Sequence, residues 1–438
     1  MLKYYSRLAL LSFRRNIVLT ILMVLAIGLG VAMTMTAFTV LYVMSRDPIP
    51  EKSAVLFAVQ IDNGGPRSRK ADDPEPPTQL AWRDAFALLS SHAASRQAAM
   101  YQVGLTVIPD NPGLKPFATA GRATTRDFFA MFQVPFLFGS AWTASDDASG
   151  APNVVISKRL NEKMFGGENS VGRTLRFNNA TYHVVGVIDD WDPKPRFYDV
   201  IGGMNFEEGE DVYIPLKTAI DREMSTSEYE FCDAGPRGDT FADLLRSECV
   251  WLQYWVELRT SDDVQRYRDF LVNYSRDQQR AGRFGWDPNI RLRNVRDWLV
   301  AQKVVPDDAK LSVLVAFSFF ITCLVSALGL MLAKAFGRAG EFGVRRALGA
   351  SAGAIFSQAL VEAGVLGLLG GLLGLGLTSL GLHLLRDLFP ASMGRIAQMD
   401  GFLFIATVLF ALIATVCAGI YPAWRSMRVA PALQLKGG

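Results

Sequence analysis

The sequence predicts a membrane α-helical protein, with four transmembrane helices, joined to one α+β domain outside the membrane. Three observations predict it. Half of the 438 residues are hydrophobic although 20% are charged, and the mean hydropathy is positive. The apolar residues cluster in four runs without charge, each long enough to cross a hydrocarbon core of roughly 30 Å. Charge is also unevenly placed: residues 1–44 carry four basic side chains and no acid, residues 311–438 carry nine basic and four acidic ones, and the hydrophilic stretch between them is net acidic. A basic membrane part beside a mildly acidic soluble part argues against a nucleic-acid partner.

Residues 1–15 read as an amphipathic interfacial helix, with Lys3, Arg7 and Arg14 on one face and Tyr4, Leu8 and Leu11 on another. A plain charged flank fits as well. Residues 16–45 form the first transmembrane run. A signal-peptide core is about 7–15 residues long, so this run reads as an uncleaved anchor. The basic residues ahead of it place the N-terminus in the cytoplasm.

Residues 46–310 form the soluble domain, opened by the helix-stopping Asp47-Pro48-Ile49-Pro50. A β-α-β unit covers about 51–109: strand Ala54–Ile61, a helix from a Thr78 cap to Ser90, and strand Met100–Ile108. A second covers about 250–300: strand Val250–Arg259, a helix capped by Ser261, and strand Ile290–Val295. An inserted subdomain, about 110–249, lies between them. Its extended stretches are Pro116–Thr124, Thr174–Phe177 and Tyr182–Ile188, the last following an Asn178-Asn179 turn. Asn153–Ser157 leads into a helix, Lys158–Phe165, closed by Gly166-Gly167. Residues 190–249 give weak signals and read as a mobile loop or a partner-facing surface. Cys232 and Cys249 lie there; in an exported domain they could form a disulfide, which spacing alone does not decide. Cys323 and Cys417 sit in apolar runs and read as core. His92, His183 and His383 are too far apart for a zinc pattern, so no metal site is expected.

The remaining chain divides into a second span (311–333), a loop (334–354), a third span (355–385), a short outer loop (386–400), a fourth span (401–424) and a tail (425–438). The alternation of charge fits four spans with both termini in the cytoplasm and the large domain outside. In the third span Gly367 and Gly371, and likewise Gly370 and Gly374, stand four apart, a spacing that lets another helix approach closely. Ordinary tolerance of glycine in membrane helices accounts for them too. The stretch 337–351 holds three arginines, one glutamate and four glycines. From Glu341 the spacing of Phe342, Arg345, Arg346 and Gly349 is helical. On charge alone it is a turn that fixes topology.

The string E-F-G-V-R-R-A-L-G-A-S at 341–351 resembles the cytoplasmic loop signature of FtsX/MacB-type ABC transporter permeases. Six pieces within 118–187 resemble that family's periplasmic core domain in order and spacing: Asp127-Phe128-Phe129, Gly139, Val154-Val155-Ile156-Ser157, Phe165-Gly166, Val171-Gly172-Arg173-Thr174 and Tyr182-His183-Val184-Val185-Gly186-Val187. Tyr421-Pro422-Ala423-Trp424-Arg425 with Pro431-Ala432-Leu433 is similar to its C-terminal signature. The resemblance implies an inner-membrane permease subunit with a periplasmic domain of the MacB core-domain type. Two such chains pair, as a homo- or heterodimer, and their loops dock on ATPase subunits that hold ATP and Mg. Nucleotide binding then moves the periplasmic domain (mechanotransmission), for efflux or export, with a periplasmic adaptor or outer-membrane protein as further partners. Docking residues on this reading are Glu341, Arg345, Arg346 and Gly349, the last for close backbone approach. Glu362 is a coupling acid paired with Arg345 or Arg346.

No G-x-x-x-x-G-K-[ST] loop occurs, so the resemblance points to the split arrangement with a separate ATPase and no nucleotide cofactor on this chain. No H-E-x-x-H occurs, and Asp189-Asp190 and Asp307-Asp308 read as a loop and a helix start, so no enzyme activity is expected. A regulator of a periplasmic cell-wall hydrolase, or a membrane-anchored sensor or scaffold without an ATPase, remain as alternatives.

Overall fold

The computed structural model describes residues 13, 16–64, 75–111, 113–178, 180–201, 205–232, 238–388 and 401–428. Nearly all of the expected N-terminal helix (1–15), Asn179, most of the outer loop (389–400) and the tail beyond 428 lie outside the described residues. The chain divides into two compact units: Arg46–Val304, and Met1–Ser45 together with Val305–Gly438.

The first unit is built on eleven strands: β1 (Leu56–Ile61), β2 (Leu80–Ala81), β3 (Arg96–Ile108), β4 (Phe117–Thr124), β5 (Phe136–Gly139), β6 (Asn153–Ser157), β7 (Thr174–Phe177), β8 (Ala180–Ile188), β9 (Val212–Pro215), β10 (Val250–Glu257) and β11 (Ile290–Asn294). The two β-α-β units interlock. β10 lies between β1 and β3, and β1 lies between β10 and β11, all antiparallel. Each unit therefore accepts one strand of the other, giving the order β11-β1-β10-β3 of a split β-α-β sheet. Their helices are Trp82–Ser91 and Ser261–Arg280. Thr260, not Ser261, caps the latter, exchanging hydrogen bonds with Asp263 in a capping box. Thr78 does not cap the former, because Leu80 and Ala81 are first drawn into β2 against β10.

The inserted strands do not form a separate sheet. β3, β4, β9, β6, β8 and β7 are each hydrogen-bonded to the next, and β7 returns to β3, closing a ring. Along β3 Val103, Leu105 and Val107 are buried while Gly104 and Thr106 are exposed, the period-two pattern of a strand with one inner face. Gly139 is obligatory: its φ is +67°, and a Cβ there would meet the Val185 carbonyl oxygen at 2.2 Å.

Residues 190–249 correct the expectation of a mobile loop. They hold β9, the helices Leu216–Asp221 and Phe241–Arg246, and the buried side chains of Phe197, Tyr198 and Glu210. Cys232 and Cys249 are joined in a disulfide. Beside it Phe231 and Val250 form an antiparallel bridge, and Arg283 grips Glu248 through both carboxylate oxygens at 3.0 and 2.7 Å.

In the second unit four helices are long and apolar enough to cross a membrane: Ile17–Met44, Asp307–Gly337, Ala352–Leu388 and Gly401–Met427. They are called the first to fourth spans. The second starts at Asp307, ahead of the uncharged run, with Asp307 and Asp308 in its first turn where the helix dipole favours acids. The glycine pairs of the third span serve two neighbours. A Cβ on Gly370 would meet Ile27 at 2.6 Å and one on Gly374 would meet Val31 at 2.7 Å, both on the first span. Gly367 and Gly371 instead face Thr415 and Ala411 of the fourth, at 2.9 and 3.0 Å. Thr34 of the first span donates to the Ala316 carbonyl of the second at 3.1 Å. Cys417 is exposed and Cys323 half-buried, against the expectation of core positions. An apolar run in a membrane helix has a lipid-facing side, so apolar neighbours do not imply burial.

Candidate functional site

A nine-residue helix, Ala339–Ala347, connects the second span to the third. Its boundaries are local. Ala339, Phe342 and Gly343 form a buried stripe at helical spacing. Gly349 stops it with φ +98°, its N–H bonding the Arg346 carbonyl while the Ala350 N–H bonds that of Arg345. That is the Schellman arrangement, which glycine adopts without strain. No atom lies within 4 Å of a Cβ placed on Gly349, so within this chain the residue is required by its backbone angle and not by a close approach. The Ser351 hydroxyl then accepts from the Ala354 N–H and starts the third span.

The charges of this helix turn inward. Arg338 pairs with Glu341 and with Glu362, both at 3.3 Å. Glu362 also holds Lys334, which is buried inside the second span's last turn and is not a bounding surface charge. Glu362 thus pairs with Lys334 and Arg338, not with Arg345 or Arg346 as expected. The reason is depth: Glu362 lies ten residues into the third span, roughly 15 Å along it, level with the end of the second span. Arg345 meets Gln358, one turn nearer the start, at 3.0 Å, and Glu341 at 2.9 Å. Arg346 donates to the Met427 carbonyl at the end of the fourth span at 3.2 Å, a favourable place for a cation. Lys334 also lies 4.6 Å from the Phe13 ring centre, and Arg338 lies over Phe342. A cavity of about 50 Å³ opens among Lys334, Arg338, Glu362 and Ser426. Glu341, Arg345 and Glu362 are therefore brought into one ion-paired network with Lys334 and Arg338, and Arg346 adds a main-chain contact, so that the short helix is tied to three spans.

A second cluster, in the soluble unit, has no counterpart among the residues expected from the sequence. Arg122 on β4 binds both Asp199 and Glu210. Arg196 reaches Glu210 at 3.3 Å and Glu228 at 3.6 Å. Tyr198 donates to Glu210 at 2.9 Å, and Gln253 to Asp199 at 3.0 Å. All five charged groups are at most 4% exposed. Burial works against an ionised Glu210, but Arg122 and Arg196 outweigh it and hold the carboxyl down at about 2. Burial, with Asp199 adding to it, pushes the Glu228 carboxyl up to about 9. The available hint was a run of acidic residues in a stretch without periodicity, which does not reveal a partner on β4. Glu230 lies near Cys232 and Cys249, but those two sulfurs are committed to each other.

Residues 20–273 match the MacB-like periplasmic core domain family, and residues 313–431 match the FtsX-like permease C-terminal family. Among curated relatives, the chain is 24% identical over 97% of its length to the macrolide export ATP-binding/permease protein MacB of Rhodopirellula baltica, spanning 60% of that protein. It is 26% identical over 69% of its length to the pyoverdine export ATP-binding/permease protein PvdT of Pseudomonas entomophila, spanning 41% of it. The chain thus spans about half the length of these relatives. Among solved structures, the periplasmic region of MacB from Actinobacillus actinomycetemcomitans aligns at 15% identity and a TM-score of 0.37, covering 59% of this chain and 96% of that one.

Proposed function

The chain belongs to the MacB/FtsX family of ABC transporter permeases, and from that premise we propose that it couples an ATPase subunit to movement of its soluble domain. The ATPase docks at the Ala339–Ala347 loop in the cytoplasm, with Glu341, Arg345, Arg346 and Gly349 shaping the docking element. Two permease chains and two ATPase subunits form the working unit, and ATP with Mg binds on the ATPase. The domain lies in the periplasm, and its motion drives efflux or export of a substrate already there, with an adaptor or outer-membrane protein completing the route.

One observation carries this reading. The loop helix is bonded to Gln358 of the third span and Met427 of the fourth, and its Glu341 holds Arg338, which joins it to Glu362 of the third span and through that to Lys334 of the second. A push on nine residues is thereby delivered to three spans at once. A ligand needs a differential affinity of about 5.5 kcal/mol to swing a two-state element almost completely, which is modest for an ATPase that closes on nucleotide. The test uses the full chain purified with its associated subunits in lipid nanodiscs. Spin labels on the two soluble domains should report a distance change on adding MgATP that vanadate locks. Unchanged distances in a preparation that hydrolyses ATP would refute the coupling.

A further inference from the structure

We infer that the contact with the ATPase is made by an apolar ridge, Val344, Ala347 and Leu348, and not by the arginines of the same helix. The inference rests on the coupling reading above and assigns its residues. The helix has one buried stripe, Ala339, Phe342 and Gly343, and the opposite side is open. There Val344 is 54% and Leu348 83% exposed, four residues apart on one face, with exposed Ala347 beside them. Leu348 is among the most exposed large apolar side chains of the described residues. A contiguous exposed apolar strip with polar residues at its rim, and not a single exposed apolar side chain, is the pattern of an interaction surface.

Charge says what covers the ridge. Arg338, Arg345 and Arg346 are engaged with Glu362, Glu341, Gln358 and the Met427 carbonyl. An interfacial helix that lies on anionic lipid turns its cations outward, and this one turns them inward. The exposed cations nearby are Arg425 and Arg428, at the end of the fourth span that Arg346 touches. The surface is therefore an apolar strip beside a basic rim. Its complement is a protein groove, apolar at its centre and acidic along one edge. The arginines are positioning residues: they hold the helix so that the ridge faces out.

A photo-crosslinking amino acid at position 348, and separately at 344, in the full chain tests this, with MgATP hydrolysis by the purified complex as the second readout. The expected crosslink is to a polypeptide carrying a G-x-x-x-x-G-K-[ST] loop, identified by its peptides. Leu348→Asp should lower co-purifying ATPase at least tenfold with unchanged expression and elution volume, since the side chain is exposed. Val344→Ser should lower it less. Arg346→Lys, which keeps a donor for the Met427 carbonyl, should retain most of it. Crosslinks to lipid or to the chain's own residues 429–438, with ATPase retained in Leu348→Asp, would overturn the ridge and leave the coupling reading standing. A wild-type complex with neither ATP hydrolysis nor a nucleotide-binding partner would overturn both.

Discussion

Two clusters of buried charge, one in each unit, are built differently. In the soluble unit Arg122, Arg196, Asp199, Glu210 and Glu228 are sealed from solvent, joining β4 to the irregular segments before and after β9. In the membrane unit Lys334 and Arg338 share Glu362, whose side chain is 14% exposed, beside a small cavity. The first cluster cannot rearrange without exposing or orphaning a charge in a packed core. The second is partly exposed and borders a small cavity, and it ends on a helix of only nine residues. The difference teaches that the same chemistry serves as a fastening when sealed and as an adjustable joint when partly open.

The comparison can be broken by mutation. Arg122→Met leaves Asp199 with only the Gln253 amide and Glu210 with Arg196 and Tyr198, and loss of one partner of a buried pair costs about 3–5 kcal/mol. Denaturation followed by the fluorescence of buried Trp142, Trp251 and Trp255 should show it. Cys232→Ser opens a loop of 17 residues of sequence separation, for which chain entropy gives about 3 kcal/mol. The measured loss should fall below that ceiling, because Arg283 still holds Glu248. Glu362→Gln should cost only about 1.5–3 kcal/mol while altering coupling of ATP hydrolysis to movement. If its stability loss equals that of Arg122→Met, the distinction between fastening and joint fails. Gly374→Val overpacks against Val31, at about 1–3 kcal/mol, and should lower the melting temperature in detergent; Gly376→Val, with nothing within 4 Å, should not.

A separate test of the sealed cluster is its pH dependence. The Glu228 carboxyl is raised in the folded state, so its contribution is fully present below the ordinary glutamate range and is lost as pH climbs towards about 9. Glu210 is lowered, so its contribution is present above that range and is lost as pH falls towards about 2. Glu228→Gln should therefore flatten the alkaline limb of a stability–pH curve and leave the acid limb unchanged. A change confined to the acid limb would reverse the assignment.

Several elements were legible because their signal is local. The helix Lys158–Phe165 and strand Thr174–Phe177 have the expected ends, since Ser157 supplies the cap, Gly166 the left-handed stop, and alternating burial the strand. The loop helix was legible from the spacing of Phe342, Arg345 and Arg346, yet the partners of those arginines were not. A charge on a helix advertises its sign over many possible partners, and which one it meets depends on the depth at which the neighbouring helix passes. The buried cluster was invisible for the same reason in stronger form: Arg122 and Glu210 stand 88 residues apart with no pattern linking them.

By itself the sequence determined where the chain runs through apolar surroundings, where the helix Lys158–Phe165 starts and stops, and which loop is basic. These follow from transfer free energies and backbone preferences that act over a few residues. Only the tertiary structure decided that the two β-α-β units interlock, that one helix turns two glycine pairs to two neighbours, and that the arginines of the loop face inward while Leu348 faces out. Those outcomes depend on which surfaces meet, and the pairing energy that selects them is spread over residues far apart in the chain.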